Sequence, residues 1–276
     1  MNAKLKKLDK IKNFLICPKC RIERLIYVNN EINCPECREE YSYSENSFNF
    51  LSEAMIGYGK VENTENVSAH NYDNIALDII GKYSDGMILD NGCGLRNVYY
   101  ENVVNFEIAN YPTTDVLGIG EKLPFKSNTF DAVFSLNVLE HVIDPFESAS
   151  EIMRVLKPGG ELYVVAPFLQ PFHGYPNHYY NMSSKGLDNL FKDRLEIIKK
   201  GVPRSGTPIW ALNWMLQVYL RGLPADLKNK FLKLRVKDLL RPMEELLREK
   251  YVEALDEKTE EELACTNFIL GKKIKS

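Results

Sequence analysis

The octet Met-Ile-Leu-Asp-Asn-Gly-Cys-Gly at residues 87–94 limits what this chain can fold into more than any other stretch. An apolar run ends in an acidic residue and then breaks into closely spaced glycines. An open α/β sheet uses that pattern at the carboxyl end of its first strand, where bare backbone must approach a ligand. Glycine suits the turn because it has no Cβ and tolerates a positive φ. Further pieces follow in order: Phe106-Glu107-Ile108, Leu123-Pro124-Phe125, Phe130-Asp131-Ala132-Val133-Phe134-Ser135, Leu139-Glu140-His141 and Leu156-Lys157-Pro158-Gly159-Gly160. The series predicts an α/β fold.

In that order the motifs resemble the class I S-adenosylmethionine-dependent methyltransferases, strongly over residues 70–200 and weakly in a final strand near 265–271. The resemblance implies a seven-stranded Rossmann-like methyltransferase sheet within residues 52–276, with S-adenosylmethionine as cofactor. Residue by residue, it places Asp90 under the turn and near the cofactor's methionine end. Gly92 and Gly94 would let backbone pass close to the ligand, and Glu107 would accept both ribose hydroxyls, as a carboxylate can. Gly120 would meet the adenine edge through its backbone. Asn137, within residues 135–138, would line the cofactor beside the transferring methyl, and Glu140-His141 would open the next helix.

Two positions depart from the family pattern. Arg96 replaces the usual third glycine, and Ile119 stands where an aspartate usually accepts from the adenine amino group. Losing one such hydrogen bond costs about 0.5–1.5 kcal/mol, enough to weaken the cofactor without abolishing it. Arg96 reaching the cofactor's carboxylate would compensate. The helix between Arg96 and Val103 is expected to be barely two turns long. A decayed, non-catalytic domain is the other reading of these changes.

Near the amino terminus, Cys17-Pro18-Lys19-Cys20 and Cys34-Pro35-Glu36-Cys37 enclose short strand-like segments. Two such knuckles let four thiolates converge tetrahedrally, and soft sulfur in that geometry selects zinc. With no open coordination position the Zn2+ would be structural. Residues 1–51 thus look like a zinc ribbon, similar to the small ribbon proteins that partner methyltransferases. Substrate or partner recognition and simple packing are both open roles. The lysines at positions 4, 6, 7, 10 and 12 are expected to be solvated or to contact phosphate. Cys93 and Cys265 are expected in buried strand ends.

Residues 166–182, leaving the fifth strand, pack His173 and His178 with three tyrosines among prolines and glycine. The stretch is similar to the equivalent loop of bacterial polysaccharide and sugar-pathway methyltransferases. Methyl transfer from a sulfonium is an in-line displacement that strips a proton from a hydroxyl or amine acceptor. His173 and His178 are the candidate general bases, or they hold the loop together. His141 reads as a helix-start residue, and His70 as a residue near the pocket. Amphipathic helices are expected at residues 225–240 and 243–255, inside a helical insertion at 204–262 that serves as a lid, a packing element or a dimer surface. Residues 263–270 read as the returning last strand.

Composition adds little. The chain has 276 residues, 45% hydrophobic and 26% charged, with a net charge of −3. That gives no general pull toward nucleic acid. The longest apolar run, residues 209–220, is shorter than the roughly 20 residues that span a bilayer, and no signal peptide precedes it, so a cytoplasmic location is expected. The leading expectation is an enzyme that methylates a small-molecule or glycan hydroxyl. A ribosomal RNA methyltransferase that uses its ribbon on RNA, and a non-catalytic zinc-ribbon interaction protein, are the alternatives.

Overall fold

The computed structural model describes residues 3–59, 69–174, 178–267 and 272. The chain forms two compact units, Met1–Phe168 with Gly174–Ile197, and Leu169–His173 with Ile198–Ser276.

In the first unit, helix α1 (Ala3–Lys12) precedes a four-stranded antiparallel ribbon of β1 (Ile26–Val28), β2 (Glu31–Asn33), β3 (Glu40–Tyr43) and β4 (Phe48–Asn49). Asn29 and Asn30, both at positive φ, make the tight turn between β1 and β2, the chemistry a two-residue hairpin demands. Helices α2 (Glu53–Gly59) and α3 (Asn74–Lys82) follow, then β5 (Ile88–Asn91), β6 (Val103–Glu107), β7 (Val116–Leu117), β8 (Phe130–Leu136), α4 (Pro145–Val155), β9 (Leu156–Val165) and α5 (Ser184–Phe191).

The sheet has nine strands in the order β1-β2-β3-β4-β7-β6-β5-β8-β9, where the sequence predicted seven and a separate ribbon. Among the described residues five strands, β5 to β9, fall within 52–276 where seven were expected, and the four ribbon strands join them in one sheet through β4. That strand pairs antiparallel with β3 and parallel with β7, Phe48 opposite Val116 and Asn49 opposite Leu117, so one sheet runs through both parts. Strands β5 to β8 are almost wholly buried, as parallel strands covered on both faces must be. Helix α4 begins at Pro145, with the Asp144 carboxylate accepting from the Phe146 and Glu147 N–H groups. It turns Ser148, Ala149, Ile152 and Val155 inward at helical spacing.

Several expectations change here. No helix links Arg96 to Val103; the residues between β5 and β6 run as turns and bends. Eleven residues are short for a crossover between parallel strands, and Arg96 is drawn inward rather than laid on a helix surface. Glu140 and His141 do not open α4 but lie in the turn before it. The Leu-Lys-Pro-Gly-Gly run does not precede β9 but forms its bulged start, where Phe130 faces Leu156 and Ala132 already faces Glu161.

The second unit is helical: α6 (Pro208–Arg221), α7 (Ala225–Phe231), α8 (Met243–Leu246), α9 (Lys250–Glu253) and α10 (Glu257–Glu262). The two longer helices expected here are broken into short pieces, because Phe231 and Tyr251 turn in with Leu223 to make a small core that straight helices would not close. Residues 263–267 form a turn and bends, so the expected last strand does not start there; residues 268–271 lie outside the described residues. Cys265 is exposed, unlike the buried Cys93.

Candidate functional site

The four ribbon cysteines converge. Their sulfurs all lie within 4.8 Å of one another, with Cys17 Sγ 3.5 Å from Cys37 Sγ and Cys20 Sγ 3.4 Å from Cys34 Sγ. Each knuckle closes through the N–H of its following arginine, Arg21 to Cys17 O and Arg38 to Cys34 O. Both arginines adopt positive φ, 67° and 61°.

The ribbon grips one stretch of the larger sheet from two sides. On one side β4 pairs with β7, and Phe50 N–H donates to Leu117 O. On the other, Leu15 bridges Phe125, Ile16 N–H donates to Pro124 O, and Lys126 N–H donates to Phe14 O. Arg21 reaches both Leu123 O and the Glu151 carboxylate on α4, which also accepts from Leu123 N–H and Arg154. Gly118 to Glu121 lie between these anchors. The amino-terminal lysines share in this packing. Lys7 is buried against Asp115 at 2.6 Å, and Lys4 donates to Pro112 O and Thr114 O. Burial lowers the Lys7 pKa against the pull of Asp115.

At the carboxyl ends of β5 and β6, Gly92 and Gly94 have φ of 75° and 61°. The Gly94 N–H donates to Glu107 Oε2 and the Ile108 N–H to Oε1, each at 2.7 Å. Desolvation raises the Glu107 pKa, and these two N–H groups oppose the rise. A Cβ on Gly92 would stand 2.4 Å from Val138 Cγ2, so the turn packs on the segment after β8. Asn137, in that segment, is exposed and takes a positive φ of 57°, a conformation asparagine tolerates.

Asp90 lies below the turn. Its Oδ2 accepts from Tyr72 Oη and from Arg96, whose Nη1 also donates to His70 O. Desolvation alone would lower the Arg96 pKa, but Asp90, with Tyr72 and Cys93, more than restores it. Arg96 is therefore held inside by Asp90. His70 takes part only through its carbonyl, and its residue is exposed.

Sequence reasoning missed Asn91 and Ser148, which join the expected Asp90, Ser135 and Glu140 in a set of buried polar residues around this edge. Asp90 Oδ1, both ends of the Asn91 amide, Ser135 Oγ, Ser148 Oγ and both Glu140 oxygens are buried without a hydrogen-bond partner. A Cβ on Gly120 would stand 3.1 Å from Ser148 Oγ and 3.7 Å from both polar atoms of Asn91. Ile119 beside it is buried apolar surface. Glu140 is fully buried, and burial pushes its carboxyl up to about 8. The His141 imidazole lies 3.7 Å from it, Nε2 to Oε1. A polar residue on the inward face of a parallel strand, as at Asn91, was the one available signal.

The two loop histidines fall in different units. In the first, His178 Nε2 pairs with Asn181 Oδ1 at 3.2 Å, and its ring lies 5.6 Å from that of His141. In the second, His173 Nδ1 lies 2.9 Å from Pro171 O and its ring packs on Trp214. Burial lowers the His173 pKa. Residues 175–177 lie outside the described residues.

Residues 89–164 match the family model described as a methyltransferase domain. Over 104 residues the chain is 35% identical to a ubiquinone/menaquinone biosynthesis C-methyltransferase of Pasteurella multocida, covering 37% of this chain and 35% of that one. A 59-residue stretch is 44% identical to a demethylmenaquinone methyltransferase of Renibacterium salmoninarum, 21% of this chain and 24% of the relative. A 43-residue stretch is 56% identical to an uncharacterised protein of Methanocaldococcus jannaschii, 16% of this chain and 19% of that protein. The chain thus spans little more than a third, at most, of the length of these curated relatives. Among solved structures, the [4+2]-cyclase SpnF superposes with a TM-score of 0.39 at 19% identity, over 52% of this chain and 63% of the other; so loose a superposition carries no weight. Residues 89–164 are thus similar in sequence to a methyltransferase domain.

Proposed function

We propose that the protein transfers a methyl group from S-adenosylmethionine to a hydroxyl of a small molecule or glycan. The observation that carries this reading is the turn where Glu107 accepts from Gly94, because it joins a carboxylate to two positive-φ glycines at the carboxyl edge of the sheet. The cofactor, when bound, supplies a methyl group on a sulfonium. Glu107 uses one lone pair of each oxygen on backbone N–H groups and keeps the others for the vicinal ribose hydroxyls. Gly92 and Gly94 leave the turn without side chains, and Asp90 fixes its base. The unpartnered Asn91 amide and Ser148 hydroxyl converge on Gly120 and offer the hydrogen bonding that Ile119 lacks.

Proton removal falls to a histidine of the loop after β9. A carbonyl can only accept, so His173 gives its Nδ1–H to Pro171 O, and in that tautomer Nε2 is the nitrogen with the lone pair. Burial lowers the His173 pKa, which favours the neutral form of the ring and makes it a weaker base. His178, positioned by Asn181, is the alternative base.

The four cysteines suit a structural zinc ion. A tetrahedron with Zn–S of about 2.3 Å puts sulfurs roughly 3.8 Å apart, and the observed separations of 3.4 and 3.5 Å need only slight expansion. For the ribosomal RNA alternative, Lys4, Lys7 and Arg21 are engaged within the chain, which leaves fewer amino-terminal cations to meet phosphate.

Calorimetric titration of the zinc-loaded protein with S-adenosylhomocysteine tests the donor site. Micromolar binding supports the reading. No detectable heat would overturn it and leave the non-catalytic ribbon protein as the better account.

A further inference from the structure

Charge is spread unevenly along the second unit. Residues 198–241 contain ten Lys or Arg and two Asp, in a chain whose net charge is −3. The same stretch exposes large apolar side chains. Ile198 is 82% exposed, Trp210 is 58% exposed, and Val202, Ile209, Leu212 and Leu216 are exposed as well. Helix α6 has no acidic residue, and Ile209, Leu212 and Leu216 recur at spacings of three and four, so they form one stripe. Its inner side is separately satisfied, with Val218 buried and Trp214 against His173. Beyond α7, Leu232, Val236 and Leu240 are exposed too, alternating with exposed Lys230, Lys233 and Lys237. Among the described residues, none of these three lysines joins an ion pair; the pairs nearby use Arg221, Arg235 and Arg241.

We propose that the basic, apolar-exposing segment 198–241 of the second unit lies on the surface of an anionic lipid bilayer. Exposed aliphatic and Trp side chains amid cationic ones are what an interfacial helix needs, apolar groups for the acyl boundary and lysines for the headgroups. RNA would use the lysines but leave the aliphatic stripe in water. A two-fold contact between copies through this segment would set its positive charge against itself. The orientation is in-plane. A 14-residue α6 is roughly 21 Å long against a hydrocarbon core of about 30 Å, and no helix among the described residues is long and apolar enough to cross. The inference does not depend on the donor chemistry.

The chain's two tryptophans, Trp210 and Trp214, both lie in α6, so intrinsic fluorescence reports on this helix directly. The full chain would be titrated with vesicles of phosphatidylcholine alone and of phosphatidylcholine mixed with phosphatidylglycerol. The expected result is a blue shift and co-sedimentation with the mixed vesicles only, weakened by salt. Joint Lys230→Glu, Lys233→Glu and Lys237→Glu substitution should cut partitioning by more than about tenfold. Joint Leu212→Ser and Leu216→Ser substitution, on exposed positions, should remove the blue shift while leaving the circular dichroism spectrum intact. Absence of binding, or equal binding to both vesicles, overturns the proposal. So does binding to poly(U) or self-association without vesicle binding, which would assign the segment to RNA or to a second copy.

Discussion

Arg96 Nε and Nη2 lie 2.9 and 2.8 Å from the same Asp90 oxygen, with both side chains buried and the guanidinium 4.1 Å from the centre of the Tyr72 ring. A residue at the place of the family's third glycine therefore braces the glycine turn from below. Removing it strands a buried carboxylate. Arg96→Met is expected to destabilise the protein by roughly 3–5 kcal/mol, seen as a lower urea midpoint at unchanged slope. A midpoint equal to wild type would show that Asp90 does not depend on this partner.

Glu140 makes stability depend on pH. Its folded pKa, about 8, lies above the unfolded value of 4.5, so the folded state holds the extra proton between them. Its contribution is complete below pH 4.5 and is lost as pH rises toward 8. Glu140→Gln should flatten that decline, raising relative stability at pH 8.5 by a few kcal/mol at most. Parallel pH–stability curves for the two proteins would rule out burial as the cause.

Gly92 is constrained twice, by a φ of 75° and by Val138 at 2.4 Å from any Cβ. Gly92→Ala should cost about 2 kcal/mol or more and weaken S-adenosylhomocysteine. Adding Val138→Ala relieves the clash but not the backbone strain, so it should restore only part of the loss in thermal melts. Full restoration would mean that φ at this turn is unimportant.

On the zinc reading proposed above, metal removal should reach the donor site. Ile16 and Arg21, which flank the first knuckle, hold Pro124 O and Leu123 O, just past Gly120. Cys17→Ser, or chelation of the native protein, should release zinc, lower the melting temperature and weaken S-adenosylhomocysteine by roughly tenfold. Unaltered donor affinity in a verified metal-free sample would show that the anchors hold without the ion.

The sequence made the succession of strands between residues 88 and 165, the glycine turn and the paired knuckles legible because each is written in local chemistry: a spacing, a turn residue, an apolar run. Two failures share another cause. Lys7 looked like one more solvated lysine, yet it meets Asp115 more than a hundred residues later. Asn91 sits beside a familiar motif, but its polar role shows only when Gly120 and Ser148 arrive from elsewhere. The missing crossover helix is intermediate. Its few residues were visible, while the inward pull of Asp90 on Arg96 was not.

The parallel pairing of β4 with β7 also fixes an order of events during synthesis. The cysteines of residues 17–37 leave the ribosome well before Val116, so the ribbon can fold while one side of β4 still lacks a partner. Such a side invites pairing with other chains. The same contact later covers β7, which would otherwise be the rim of the parallel strands. Trimming the chain to its methyltransferase motifs would therefore expose a bare sheet margin, and aggregation, rather than loss of a small accessory, is what that truncation would produce.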